Sequence, residues 1–259
     1  MSNLKRKLLL RKPMYEYLVK HKEIMPAKQT ITYSQILKTS EYISDLRPKS
    51  NELIDQCPIS DRDLANRTNL IINYLLPIEN KNILFVGDDD LASAVIGKLT
   101  STKFSVIDID KHILSVIKKE TRRKSSRLIN TNIMDIIDQK ISDPIQDNFD
   151  AFITDPPYTE MGYKYFLSYG ITHLKIQGLA FIAVPYMNGE DWSSELLYKV
   201  QGFLVKNGFA IIEAIPAFAK YLHENEVLST MIVVKKVSTT KSNLTKYQRE
   251  KTYTTGFKL

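Results

Sequence analysis

From residue 82 to residue 237 the chain alternates short, continuously apolar runs with longer segments of helical period. That alternation leaves few architectures open. "NILFVG" (82–87), "FSVIDID" (104–110), "AFITDPP" (151–157) and "LAFIAVP" (179–185) read as strands with no polar face. Such strands need cover on both sides, which means a parallel sheet between two helical layers. The helices fall between them: "LASAVIGKL" (91–99), "HILSVIKKE" (112–120), "YKYFLSYGITHL" (163–174) and "SSELLYKVQGFLVKNG" (193–208), the last with a glycine C-cap. "RLINTNI" (127–133) supplies a third strand in the order of the chain. "AIIEAIPA" (210–217) and "STMIVVKKV" (229–237) have no long helix between them, which predicts an antiparallel hairpin at the sheet edge. The fold class is α/β, with a mostly parallel seven-stranded sheet.

Ahead of this body, residues 1–58 form a small N-terminal region with helices predicted near 13–22 and 33–44. The catalytic unit is placed at 59–238. Ser60 followed by Asp63 resembles a capping box opening the helix in "DLANRTNLIINYLL", which Pro77 ends. Residues 239–259 read as a polar, basic tail without a core pattern, so their removal is expected to leave the chemistry intact.

The formal net charge of +7 is unevenly spread. Residues 1–22 and 235–259 each hold seven Lys/Arg and one Glu, so the rest keeps 36 − 14 = 22 basic and 29 − 2 = 27 acidic residues, a net of −5. The basic ends read as solvated flanks, with a nucleic-acid grip as the sharper alternative. An acidic body suits a cationic ligand. No apolar run reaches the roughly 20 residues that span a bilayer, and "LLL" near the start is too short for a secretory signal. With a single cysteine, Cys57, a reduced, cytoplasmic setting is expected. His21, His112 and His173 lack metal-ligand spacing, and no metal site is expected.

In parallel sheets ligands bind beyond the carboxyl ends of the strands, at the switch point. The first strand ends in Gly87-Asp88-Asp89-Asp90, the second in Asp108-Ile109-Asp110, and the fourth in "TDPPY" (154–158), so three motifs converge on one rim. Asp108 or Asp110 stands 21 or 23 residues after Gly87, where a carboxylate can accept both hydroxyls of an adenosine ribose; Asp110 also suits a helix cap. Asp155 precedes a proline and is held extended, with Pro156 and Pro157 stiffening the loop behind it. A carboxylate there, with a nearby backbone carbonyl, can grip an amine nitrogen and orient its lone pair. Tyr158 offers a stacking or lining face, and Glu160 could bind a second ammonium. Trp192 with Tyr186 could line the acceptor mouth, although packing explains them as well, and Glu224 and Glu226 could add to a cationic pocket.

A DPPY motif is familiar from enzymes that methylate amino groups of adenine or cytosine in nucleic acids. Those enzymes receive the carboxylate of S-adenosylmethionine in a glycine-rich loop. Here the loop is "GDDDLAS", and three aspartates repel a carboxylate. They attract a cofactor that has lost it: decarboxylated S-adenosylmethionine carries a sulfonium and a free ammonium.

"DQCPISDRDLANRTNLI", "ILFVGDDDLAS", "VIDID" and "FITDPPYT" together resemble the branched-chain polyamine synthases, the N4-bis(aminopropyl)spermidine synthase family, over roughly residues 52–237. The resemblance implies a Rossmann-like class I methyltransferase fold. It implies aminopropyl transfer from decarboxylated S-adenosylmethionine to a polyamine nitrogen, with Asp155 as the key acid/base residue. Asp88, Asp89 and Asp90 then form the acidic cofactor loop with Gly87, Asp108 or Asp110 is the ribose-side acid, and Asp155, Pro156, Tyr158 and Glu160 face the amine. The alternative is an S-adenosylmethionine-dependent N-methyltransferase acting on nucleic acid, which DPPY and the basic ends favour and GDDD opposes. A catalytically silent nucleic-acid-binding protein is the third reading, against which the intact rim of acids argues. A homodimer is compatible with the sequence and not required by it.

Overall fold

The computed structural model describes residues 30–121, 126–186, 191–222, 227–239 and 252–255. The helix expected near 13–22 lies outside them, as do Glu224 and Glu226. Helix α1 (Tyr33–Ser44) opens on Thr32, whose side chain accepts the Gln35 N–H while the Gln35 side chain accepts the Thr32 N–H. Its buried Ile36 and Ile43 join the same core as α2 (Asp61–Tyr74), so this part of the N-terminal region is built into the main body. Ser60 caps α2 by accepting the Asp63 N–H at 3.1 Å, as the capping pattern predicted.

The remaining elements are β1 (Asn82–Val86), α3 (Ala92–Leu99), β2 (Lys103–Asp108), α4 (Lys111–Thr121), β3 (Ser126–Asn130), α5 (Ile133–Ile137), β4 (Phe149–Thr154), α6 (Glu160–His173), β5 (Leu174–Tyr186), α7 (Asp191–Lys206), β6 (Phe209–Lys220) and β7 (Leu228–Lys236). The seven strands lie in the order β3-β2-β1-β4-β5-β7-β6. The first five in this order are parallel, and β7 runs antiparallel to both β5 and β6. The third strand is shorter than expected because Asn132 stops it. Its side chain accepts the Met134 N–H at 3.0 Å and starts the short α5.

Side chains alternate across the sheet and fill two cores. Ile83, Phe85, Val106, Ile153, Phe181 and Val233 pack under α1–α4, and Leu84, Val86, Ile107, Phe152, Ile182 and Val234 under α5–α7. The register then sets the rim. Val86 stands opposite both Ile107 and Thr154, so Gly87, Asp108 and Asp155 leave their strands at one level. Strand order reverses between β1 and β4, which puts this level at the switch point. Among the described residues, no helix is long and apolar enough to cross a membrane.

Helix α6 opens on Thr159, whose Oγ1 accepts the Gly162 N–H at 2.9 Å. A Cβ on Gly162 would lie 2.4 Å from the Pro157 carbonyl oxygen, so only glycine lets this turn sit against the loop leaving β4. Gly162→Ala is therefore expected to destabilise the protein by about 1–3 kcal/mol, the usual range for overpacking. Thermal denaturation followed by circular dichroism measures this; an unchanged midpoint would mean that the loop yields freely.

Candidate active site

The rim begins at Gly87, whose φ of +72° favours glycine and whose N–H donates to the Ile107 carbonyl at 2.9 Å. The chain then turns so that the Asp88 N–H donates to Asp108 Oδ2 at 3.0 Å. The Asp88 carboxylate accepts the N–H groups of Ala92 and Ser93 at 3.0 and 3.1 Å. Leu91 immediately before α3 has no capping side chain, so Asp88 satisfies the helix start from further back. Asp108 Oδ1 accepts the Asp110 N–H at 2.8 Å, and Asp110 in turn accepts the His112 N–H at 2.7 Å and the Gln56 Nε2 at 3.1 Å.

Residues 51–60 strap this loop from outside. The Cys57 N–H donates to Asp89 and the Ile59 N–H to Asp90, at 3.2 and 2.9 Å. Arg47 donates to the carbonyls of Ile59 and Asp90. Arg67, on the buried face of α2, places Nη1 2.5 Å from Asp90 Oδ2 and Nη2 2.9 Å from Asp155 Oδ2. The three consecutive aspartates thus separate. Asp88 turns to the start of α3, Asp90 turns to Arg67 and lines neither cavity, and Asp89 borders both. Of the three, Asp90 is drawn inward by an arginine nearly two dozen residues earlier.

Two cavities meet here. The narrower is lined by Gly87, Asp88, Ile107, Asp108, Ile133 and Phe166, among others. The larger, about 660 Å³, is lined by Glu52, Pro156, Tyr158, Trp192, Tyr221 and their neighbours. Asp55, Gln56, Asp89, Asp155 and Pro157 border both. Tyr221 donates its hydroxyl to the Asp155 carboxylate at 2.9 Å, and the hydroxyls of Tyr221 and Tyr158 lie 2.5 Å apart. Burial raises the carboxyl of Asp155, and Asp90 adds to this, while Arg67 and the Tyr221 hydroxyl oppose it. Burial pushes Asp88 up to about 8 and Asp108 to about 6, against the backbone N–H groups they accept. Burial, then Asp90 and Asp155, hold Asp89 well above the usual carboxylate range.

The other expected residues divide. Pro156 and Tyr158 line the larger cavity. Glu160 lines neither; it starts α6 on the solvent side and pairs with Lys164 at 2.7 Å and Lys199 at 3.3 Å. Trp192 borders the larger cavity and Tyr186 does not. The tail also departs from expectation. Tyr253 is buried and lines the narrower cavity, Thr159 Oγ1 donates to the Thr252 carbonyl at 2.6 Å, and Thr254 donates to Asp55 through both its N–H and its hydroxyl. Arg67, Tyr221, Gln56 and Tyr253 were not anticipated. Nothing in the sequence sets Tyr253 apart from Tyr247 and Phe257 in the same tail.

The sequence matches the branched-chain polyamine synthase A C-terminal domain family over residues 35–257. An uncharacterized protein of Methanocaldococcus jannaschii is 30% identical over 206 residues, 79% of this chain and 51% of that protein. The N(4)-bis(aminopropyl)spermidine synthase of the same organism is 31% identical over 144 residues, 55% of this chain and 41% of the enzyme. The chain thus spans about half, or less, of the curated relatives it matches. Among solved structures, the Thermus thermophilus branched-chain polyamine synthase, in complex with N4-aminopropylspermidine and 5'-methylthioadenosine, superposes with a TM-score of 0.66 at 18% identity, covering 81% of this chain and 67% of that one. A putative RNA methyltransferase from Pyrococcus horikoshii superposes at 0.60 with 12% identity, over 79% of this chain and all of that one, and shows the same fold. With the family match covering most of its length, the chain belongs to the branched-chain polyamine synthase family and has its class I methyltransferase-like fold.

Proposed function

We propose that this protein is an aminopropyltransferase that moves an aminopropyl group from decarboxylated S-adenosylmethionine to a nitrogen of a polycationic amine. The observation that carries this reading is the pair of cavities sharing Asp89 and Asp155 on their common wall. The narrower cavity suits the nucleoside of the donor: Asp108 offers a carboxylate for ribose hydroxyls, and Ile107, Ile133 and Phe166 offer apolar walls. The larger suits a cationic chain, with Glu52, Asp55, Asp89 and Asp155 among aromatic walls from Tyr158, Trp192 and Tyr221.

The start of α3 supports the choice of donor. N–H groups at a helix start commonly bind a ligand anion, but those of Ala92 and Ser93 already hold the Asp88 carboxylate. A donor with its own carboxylate finds those donors taken and meets Asp89 beside them. A donor ending in an ammonium finds a counter-charge.

In this reading the donor's sulfonium makes the neighbouring carbon electrophilic. The acceptor nitrogen must reach it neutral. Asp155 orients that nitrogen and takes its proton as the new N–C bond forms, the S–C bond breaks and the thioether leaves. Holding two reactants on a common wall supplies much of the acceleration.

Three outcomes follow. Decarboxylated S-adenosylmethionine, or its thioether product, should bind at least about tenfold tighter than S-adenosylmethionine by calorimetry, a gap of about 1.4 kcal/mol; equal affinities, or the reverse order, would favour the methyltransferase alternative. Asp155→Asn should lower turnover by about 10²–10⁴, the usual worth of an acid-base group, with donor affinity nearly unchanged. Normal turnover in that variant, read by mass spectrometry on a panel of polyamines, removes Asp155 from the mechanism. Finally, Asp108 sits at about 6 and loses its charge below that pH. Hydroxyl donors from a ribose favour the ionised carboxylate, so thioether affinity should hold at pH 7.5 and weaken as pH falls below about 6. A flat profile from pH 7.5 to 5 would take Asp108 out of the nucleoside site.

A further inference from the structure

Arg67 is out of place by two ordinary criteria. It is a cation, 3% exposed, paired with Asp155, which borders a cavity assigned above to a cationic ligand. Among the described residues, its Nε also has no hydrogen-bond partner. Buried ion pairs contribute little net stability, since removing charges from water offsets their attraction, and a buried N–H left unsatisfied costs more. Stability alone gives weak grounds for a guanidinium here. Its geometry gives better ones. One fork reaches two carboxylates on different strand ends, Asp90 after β1 and Asp155 after β4.

We propose that Arg67 is a positioning residue that holds Asp155 ionised and correctly turned for the amine, and that Asp90 is the counterweight limiting its grip. This rests on the aminopropyl-transfer reading of the site. The groups facing Asp155 are Arg67 from α2, Asp89 and Asp90 from the loop after β1, Tyr158 beyond β4, Tyr163 from α6 and Tyr221 beyond β6. Without Arg67, Asp155 would stand buried beside two carboxylates with only hydroxyl partners. It would then hold a proton at neutral pH and could not accept one from the amine. With Arg67 alone and no Asp90, it would be a tightly paired anion, ionised but a poorer base. Sharing the fork leaves Asp155 between these limits. The Tyr221 hydroxyl, within 2.9 Å of both carboxylate oxygens, fixes the same group from the other side. A carboxylate oxygen has two lone pairs, and Oδ1 has the Tyr221 hydroxyl as its partner among the described residues, so an incoming amine still finds a lone pair there.

The arrangement makes two substitutions act in opposite directions, which a merely structural role would not do. The test measures the Asp155 carboxyl titration by ¹³C NMR, and the pH profile of kcat/KM, in the full chain and in Arg67→Gln, Arg67→Lys and Asp90→Asn. Arg67→Gln should move the Asp155 titration and the acidic limb up by about one pH unit or more, the usual effect of losing an adjacent opposite charge. Asp90→Asn removes a like charge and leaves Arg67 to Asp155 alone, so both should move down. Arg67→Lys keeps the charge but not the two-armed reach, and should fall between wild type and Arg67→Gln. If Arg67→Gln fails to fold, the lysine and Asp90 variants still decide, because their shifts must be opposite in sign. Shifts of the same sign, or none, overturn the proposal. If wild type turns over no polyamine, the functional reading falls, and the NMR titrations alone decide whether Arg67 governs Asp155.

Discussion

The rim of the sheet must keep Asp88, Asp89, Asp90, Asp108 and Asp155 close together and largely out of water with one guanidinium among them. Like charges in low dielectric repel strongly, and much of the surrounding structure offsets that repulsion. The start of α3 gives its N–H groups to Asp88. The strap at 51–60 gives backbone N–H groups to Asp89 and Asp90, and Gln56 gives its amide to Asp110. Helix α2 turns its one buried arginine inward rather than to solvent. Loop, strap and helix face are therefore one solution to one electrostatic problem. That is why the segment before the sheet is part of the site rather than an appendage to it.

The parts of this legible in the sequence were those set by local pattern. Continuous apolar strands fixed the parallel sheet, and the missing helix between the last two runs fixed the edge hairpin. Strand ends at a common level brought GDDD, Asp108 and Asp155 together. What stayed hidden depends on tertiary geometry. Arg67 sits in "DLANRTN", where an arginine reads as a solvated helix residue, and nothing local says that its phase on α2 points at Asp90 and Asp155. Asp88 caps a helix that starts four residues later across a left-handed Leu91, a spacing outside the usual cap pattern. Glu160 reads as a site residue by its place after the DPPY motif, while its pairing with Lys164 has the ordinary i,i+4 spacing of a helix surface.

The putative RNA methyltransferase from Pyrococcus horikoshii shares this fold at low identity. A helix start that presents free N–H groups welcomes a ligand carboxylate; one whose N–H groups already hold a protein carboxylate does not. Here the N–H groups of Ala92 and Ser93 are filled from within, by Asp88.

The contact between Thr254 and Asp55 joins residues 199 positions apart in the chain. Asp55 belongs to the strap that settles the acidic loop, and Tyr253, beside Thr254, walls the narrower cavity. Asp55 itself borders both cavities. One pair of hydrogen bonds therefore ties the wall of the narrower cavity to the wall of the larger, and a change at Asp55 or Thr254 reaches both at once.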